Sequence, residues 1–198
     1  CTFQENTGSA VRLNDVLGKV KFENCKFTEN IAAYGAGLAI VEYKLWECSD
    51  GCSVSVKNST FINNIAATGA AIYFVYGDEE NGRFSLTDVV IKGSYCSQCD
   101  NYVRMRGGAV YMEHIQAMIT GERGSEFTSN GPQGAVQGSN TVVDLWGKVT
   151  FTNNTGENGG AISLLNHGRV TFFFCDYNAI ECNNTNFTFF GNTATRFG

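Results

Sequence analysis

A chain of 198 residues, 43% of them hydrophobic, is long enough to bury a substantial core. Its 14 basic and 19 acidic residues leave a net charge of −5, and the basic ones are scattered singly, which excludes a nucleic-acid surface as the organising function. No apolar run approaches the roughly 20 residues of a membrane-spanning helix, while 23 glycines and a single proline, Pro132, suit a chain of tight corners between paired strands.

Read from its start, the chain repeats a phrase. Residues 1 to 24 carry Phe3-Gln-Glu-Asn6 and then Ala10-Val11-Arg12-Leu13. Cys25 stands two places before Phe27 as Cys1 stands before Phe3; Phe27-Thr-Glu-Asn30 leads to Gly37-Leu38-Ala39-Ile40 and an insertion holding Trp46, Cys48 and Cys52. Val54-Ser-Val56 and Phe61-Ile-Asn-Asn64 precede Ala71-Ile72-Tyr73-Phe74 and the acidic stretch Gly77-Asp-Glu-Glu-Asn-Gly82. Phe84-Ser-Leu86 and Val89-Val-Ile91 open a stretch without Phe-x-x-Asn, where Ser94-Tyr-Cys96-Ser-Gln-Cys99 stands before Gly107-Gly-Ala-Val110-Tyr111-Met112. Two further copies pair Phe127/Asn130 with Ala135-Val136 and Phe151/Asn154 with Gly159-Gly-Ala-Ile162-Ser163-Leu164; Cys175 and Cys182 then bracket a short excursion before Phe189/Asn192.

The small-aliphatic steps at Val11, Leu38, Ile72, Val110, Val136 and Ile162 are separated by 27, 34, 38, 26 and 26 residues. A period in that range marks a solenoid or array. After each step apolar side chains occupy the first and third places, the period of a strand. Stacking one strand per rung, about 4.8 Å apart, makes those six residues one inward column. Leu13, Ile40, Phe74, Met112 and Leu164 make a second, with Gly138 as a gap. Phe27, Phe61, Phe127 and Phe151 make a third, and Asn6, Asn30, Asn64, Asn130, Asn154 and Asn192 an amide ladder at a corner, where Asn tolerates left-handed backbone angles. The fold class expected is all-β, a right-handed parallel β-helix of six to seven coils forming one unit over 1–198. Because the chain starts at Cys1 and stops at Gly198 where another strand is due, a segment of a longer solenoid is expected.

The alternation of Gly-Gly-Ala-Ile with Phe-x-x-Asn, in six copies from residue 3 to residue 192, resembles the repeat signature of the polymorphic outer membrane proteins, whose parallel β-helix regions act as surface adhesins. Only Gly107-Gly108 and Gly159-Gly160 keep the full glycine pair, and the outer-membrane barrel that completes the family is not in this sequence. The resemblance implies a secreted or cell-surface location and an adhesive role.

Eight cysteines point to an oxidising compartment. The shared phase of Cys1 and Cys25 puts them within disulfide reach; Cys48 with Cys52, Cys96 with Cys99 and Cys175 with Cys182 are expected to close loops locally. Asn58, Asn153, Asn183 and Asn186 begin N-glycosylation sequons, although Asn and Thr are also common in β-helices by composition. The acidic stretch at 77–82 reads as a solvated turn rather than a cation loop, and Cys96-x-x-Cys99, lacking a second copy, as a structural bridge rather than zinc or redox chemistry. No cofactor or metal is expected.

An enzyme of the pectin-degrading kind needs carboxylates converging on an outer face. The outward residues Arg12, Ala39, Tyr73, Tyr111, Gln137 and Ser163 include none, and nothing brings Asp88 and Asp144 together. The reading is a non-enzymatic extracellular structural or adhesive solenoid, in a cell surface or a matrix or fibre, whose partners are further coils, copies of itself, glycans or cell-surface proteins. The alternative is a carbohydrate-binding or polysaccharide-degrading β-helix, with Tyr73, Tyr111 and Trp46 gripping sugar; cross-rung packing explains the tyrosine pair equally.

Overall fold

Each coil is built from short runs in which apolar and polar side chains alternate, as in Val54-Ser55-Val56, so one face of every strand has somewhere to hide only if a second strand lies across from it. A computed structural model describes residues 1–14, 18–41, 53–75, 82–96, 108–173 and 185–194, without the side chain of Cys96. Among them there are strands and no helix, and every strand pairing is parallel: the chain is a parallel β-solenoid.

One sheet stacks six strands in the order β2 (Val11–Asn14), β6 (Leu38–Val41), β10 (Ile72–Val75), β14 (Val110–Glu113), β16 (Val136–Ser139) and β19 (Ile162–Leu165). Val11, Leu38, Ile72, Val110, Val136 and Ile162 are Cα partners in turn, as their sequence phase requires. Leu13, Ile40, Phe74, Met112, Gly138 and Leu164 follow two places on. The gap expected at Gly138 is filled: a Cβ there would lie 2.9 Å from Thr141 Cβ and 3.0 Å from Leu164 Cδ2. Leu38, Ile40, Ile72, Phe74, Val110, Met112 and Val136 are fully buried, each such side chain worth about 1.5–3 kcal/mol of transfer free energy.

The opposing wall is an 11-stranded sheet with two branches. Strands β3 (Lys19–Glu23), β7 (Ser53–Lys57), β11 (Gly82–Thr87) and β20 (Arg169–Phe173) form one branch; β1 (Thr2–Gln4), β4 (Lys26–Thr28), β8 (Thr60–Ile62), β12 (Val90–Lys92) and β21 (Asn186–Phe190) form the other. The longer β15 (Ile115–Thr128) and β17 (Val142–Thr152) run through the corner and belong to both. On the second branch the register reads Phe3, Phe27, Phe61, Ile91, Phe127, Phe151, Phe189. The phenylalanine column is therefore two stacks separated by Ile91: Phe3–Phe27–Phe61 with centroids 4.8 and 4.5 Å apart, and Phe127–Phe151–Phe189 with 4.8 and 5.1 Å. These rings fill the space opposite the six-stranded sheet, and small residues let them in. A Cβ on Gly37 would stand 2.7 Å from Phe61 Cδ1. Alanine is the bulkiest residue at the equivalent places, Ala71, Ala109, Ala135 and Ala161.

The same packing accounts for the glycine pair before Ala161. A Cβ on Gly159 would meet the Ile162 carbonyl at 2.5 Å, and one on Gly160 would meet the Thr193 and Asn154 carbonyls at 2.6 and 2.7 Å. The first glycine thus lets the chain turn upon itself and the second lets the neighbouring backbone close in.

Corner geometry differs from the sequence expectation. The left-handed residue is not the ladder asparagine but the one before it: Glu5, Glu29, Asn63, Gly93, Ser129, Asn153 and Gly191, with φ between 53° and 63°. The ladder asparagines serve as hydrogen-bonding residues instead. Holding a non-glycine residue in this region costs about 1–2 kcal/mol, and glycine already occupies the corner in two coils. Glu29 is exposed, so Glu29→Gly should raise stability by about 1 kcal/mol, or about 2–4 °C in thermal midpoint; calorimetry showing a lower midpoint would refute the corner assignment.

Candidate functional site

The feature with the most chemistry is the corner that follows each phenylalanine strand. Asn6 Nδ2 donates to Asn30 Oδ1 at 2.7 Å, and Asn30 Nδ2 to Asn64 Oδ1 at 2.9 Å. Higher up, Asn130 Nδ2 donates to Asn154 Oδ1 at 3.0 Å and Asn154 Nδ2 to Asn192 Oδ1 at 2.8 Å. The same Oδ1 atoms accept the backbone N–H of the preceding asparagine, at 3.0–3.1 Å. The second Nδ2 hydrogen goes to the carbonyl of the column residue one coil back: Phe3, Phe27, Ile91, Phe127 and Phe151 accept from Asn30, Asn64, Asn130, Asn154 and Asn192. An amide is the one side chain that offers two acceptor lone pairs and two donors in that plane, which explains the residue type. It is a mechanical device, tying each coil to both neighbours.

The ladder breaks once. Ile91 and Ser94 occupy the phenylalanine and asparagine places of their coil, so Asn64 and Asn130 are two coils apart. The signal was present as Ile91-x-x-Ser94, with the spacing of Phe-x-x-Asn and lying 30 residues beyond Phe61, but neither residue type matched.

The outer face of the six-stranded sheet carries the residues expected there, with Arg12, Ala39, Tyr73, Tyr111, Gln137 and Ser163 in register. It is not open. Ala39, Tyr73, Tyr111, Gln137 and Ser163 are 0%, 9%, 2%, 1% and 8% exposed. Tyr73 stacks on Tyr111 at 5.7 Å and meets Tyr34 at a tilt at 5.1 Å, and Tyr111 Oη hydrogen-bonds Glu113 at 3.2 Å. Tyr73 and Tyr111 are therefore packing residues and not an exposed sugar platform, which corrects that expectation. Trp46 lies outside the described residues. Exposed apolar side chains occur instead on the short sheet of β5 (Ile31–Tyr34), β9 (Ile65–Thr68) and β13 (Tyr95–Cys96), where exposed Ile31 and Tyr95 flank a half-buried Ile65 in register.

The Cys1–Cys25 bridge also needs correction. The two residues are adjacent in register, one place before the Thr2–Lys26 pair, yet both are free thiols. Cys25 Sγ turns to the Glu23 carbonyl at 3.4 Å, as Ser59 Oγ on the next coil turns to that of Lys57 at 2.8 Å, so the buried thiol fills a corner hydroxyl's role. Cys48–Cys52, Cys175–Cys182, Cys99, the Cys96 side chain, the acidic stretch at 77–81 and Asn183 fall outside the described residues. Of the other sequon asparagines, Asn186 and Asn153 are exposed and Asn58 is half-buried at a corner. The Asn153 amide lies over Gly191, so a glycan there would have to lift it off the neighbouring coil, whereas among the described residues the Asn186 side chain only accepts from Thr188 Oγ1, at 3.4 Å.

Asp88 is structural: its Oδ1 accepts the Arg123 and Gly124 N–H groups at 2.8 and 3.2 Å, holding the bulge between Gly121 and Ser125 on the next coil. Asp144 points outward between Met118 and Thr171 on the 11-stranded sheet.

Parallel rungs, stacked aromatic rings and an amide ladder define a parallel β-solenoid built from tandem repeats. Residues 148–164, from the middle of β17 to β19, match the family model described as the Chlamydia polymorphic membrane protein (Chlamydia_PMP) repeat. No curated protein and no solved structure matches the chain. The matched stretch contains Phe151, Asn154, Gly159, Gly160 and Ala161, the residues whose packing is described above. The repeat is one of surface-exposed β-helix proteins, which agrees with a cell-surface location.

Proposed function

We propose that the chain is a non-enzymatic structural and adhesive solenoid, a right-handed β-helix of six to seven coils that serves as a rod in a cell-surface or matrix glycoprotein. The observation that carries this reading is the ladder: the hydrogen bonds of its asparagines are spent joining coil to coil, which makes a stiff spacer and leaves them no reacting group. Right-handedness rests on the strong preference of parallel crossover connections, and six stacked strands in one sheet support the coil count. A rod of this kind takes further coils, copies of itself or surface molecules as partners, and acquires glycans at Asn186 first.

Antibodies raised to the purified protein should label unpermeabilised source cells or their matrix, and protein-coated beads should adhere to a target surface more than uncoated ones. Label confined to the cell interior, or release of sugars from a polysaccharide panel by the purified protein, would overturn the reading. Burial of Tyr73 and Tyr111 supports this reading over a polysaccharide-gripping one.

A further inference from the structure

We infer that one water molecule is bound inside the solenoid at Ser94, where it takes the place of the amide that the other coils supply. In every unbroken step of the ladder the backbone N–H and one Nδ2 hydrogen of an asparagine both reach the Oδ1 of the next. Asn64 cannot do so. Its Nδ2 donates to the Phe27 carbonyl at 3.0 Å, and its second Nδ2 hydrogen and its backbone N–H face a serine too short to meet them. On the other side Asn130 Oδ1 accepts the Ser94 N–H at 3.0 Å but no side-chain amide. Between them Ser94 Oγ, on a residue 1% exposed, has no hydrogen-bond partner among the described residues.

Serine carries its Oγ where asparagine carries Cγ, so the space of two heavy atoms, Oδ1 and Nδ2, opens among these groups. The polar atoms that line it are two donors on Asn64 and acceptors at Asn130 Oδ1, Ser94 Oγ and the Phe61 carbonyl, which an asparagine at 94 would have met. A cation would be repelled by the donors and an anion by the acceptors. Water satisfies both, accepting twice from Asn64 and donating to Asn130 and Ser94, which lies within the two to four bonds typical of buried water. Leaving the donors bare would exact the full desolvation penalty of each group. The rod then holds two amide ladders, Asn6–Asn30–Asn64 and Asn130–Asn154–Asn192, joined by solvent.

The test uses the whole protein labelled with 15N. Long-lived water cross-peaks are expected at the Asn64 backbone and side-chain amides in wild type, and not at those of Asn30, which serve as the internal control. Ser94→Asn should abolish the Asn64 peaks and slow exchange of its backbone amide by about tenfold or more. A high-resolution crystal structure should show density within hydrogen-bond distance of Ser94 Oγ. Absent Asn64 cross-peaks in wild type, a dry site in the crystal, or peaks that persist unchanged in a folded Ser94→Asn variant would each overturn the proposal.

Discussion

Replacing Phe61 by aspartate should leave the chain unable to fold, and replacing it by alanine should cost about 3–5 kcal/mol. The ring is fully buried, stacked on Phe27 at 4.5 Å, and sits in the space that Gly37 leaves open. No cation or donor lies along that column to meet a carboxylate, so an ionised aspartate would be desolvated without compensation. Phe61→Ile should cost less than Phe61→Ala, because Ile91 fills the same column one coil on. Met118→Asp, on a side chain 43% exposed on the outer surface but opposite Asp144 in register, should cost no more than about 1 kcal/mol. Urea titrations followed by circular dichroism give the order; an aspartate at 61 as harmless as one at 118 would mean that the inward and outward faces are wrongly assigned. Ser163→Asp belongs with the damaging changes although Ser163 points away from the core, since only 8% of it is exposed.

That last contrast shows where the sequence is legible and where it is not. Direction follows from a period of two, so the sequence places Val11 through Ile162 in one column and Arg12 through Ser163 on the opposite face, and the register agrees at every rung. Exposure depends on what else covers the face, and alternation carries no information about that; Tyr73 and Tyr111 are outward and buried for this reason. The ladder was visible because six copies keep both Phe and Asn, whereas Ile91-x-x-Ser94 keeps only their places. The left-handed corner was misplaced by one residue because a tolerance for positive φ and a capacity to bond across rungs both favour asparagine. Glu5, Glu29 and Ser129 show that the corner is imposed by the coil rather than chosen by the side chain. Cys1 and Cys25 show the converse: the phase was right, but adjacency on a ladder does not oblige two sulfurs to join when one of them has a carbonyl to meet.

The ladder itself is best tested by a change that keeps its shape and reverses its chemistry. Asn154 accepts two hydrogen bonds at Oδ1 and donates two from Nδ2, to the Phe127 carbonyl and Asn192 Oδ1, both at 2.8 Å. Asn154→Ala removes all four and strands buried partners, for an expected loss of about 3 kcal/mol at any pH. In Asn154→Asp the two accepted bonds survive, but a second oxygen now faces two acceptors in a site of 0% exposure. Both burial and this repulsion favour the protonated acid, so the folded-state pKa is raised above the unfolded value of about 3.9. The sign follows: below about pH 3.9 both states hold the proton and the aspartate can donate one bond, while above it folding must keep a proton that the unfolded chain releases. Stability relative to wild type should therefore fall as pH rises from about 4 toward 7, by up to about 1.4 kcal/mol per pH unit, until Asp is worse than Ala. Denaturant midpoints of the three proteins across that range would show the Asp curve crossing the Ala curve. Parallel curves would mean that the Nδ2 bonds do not hold the coils together and that backbone pairing alone carries the rod.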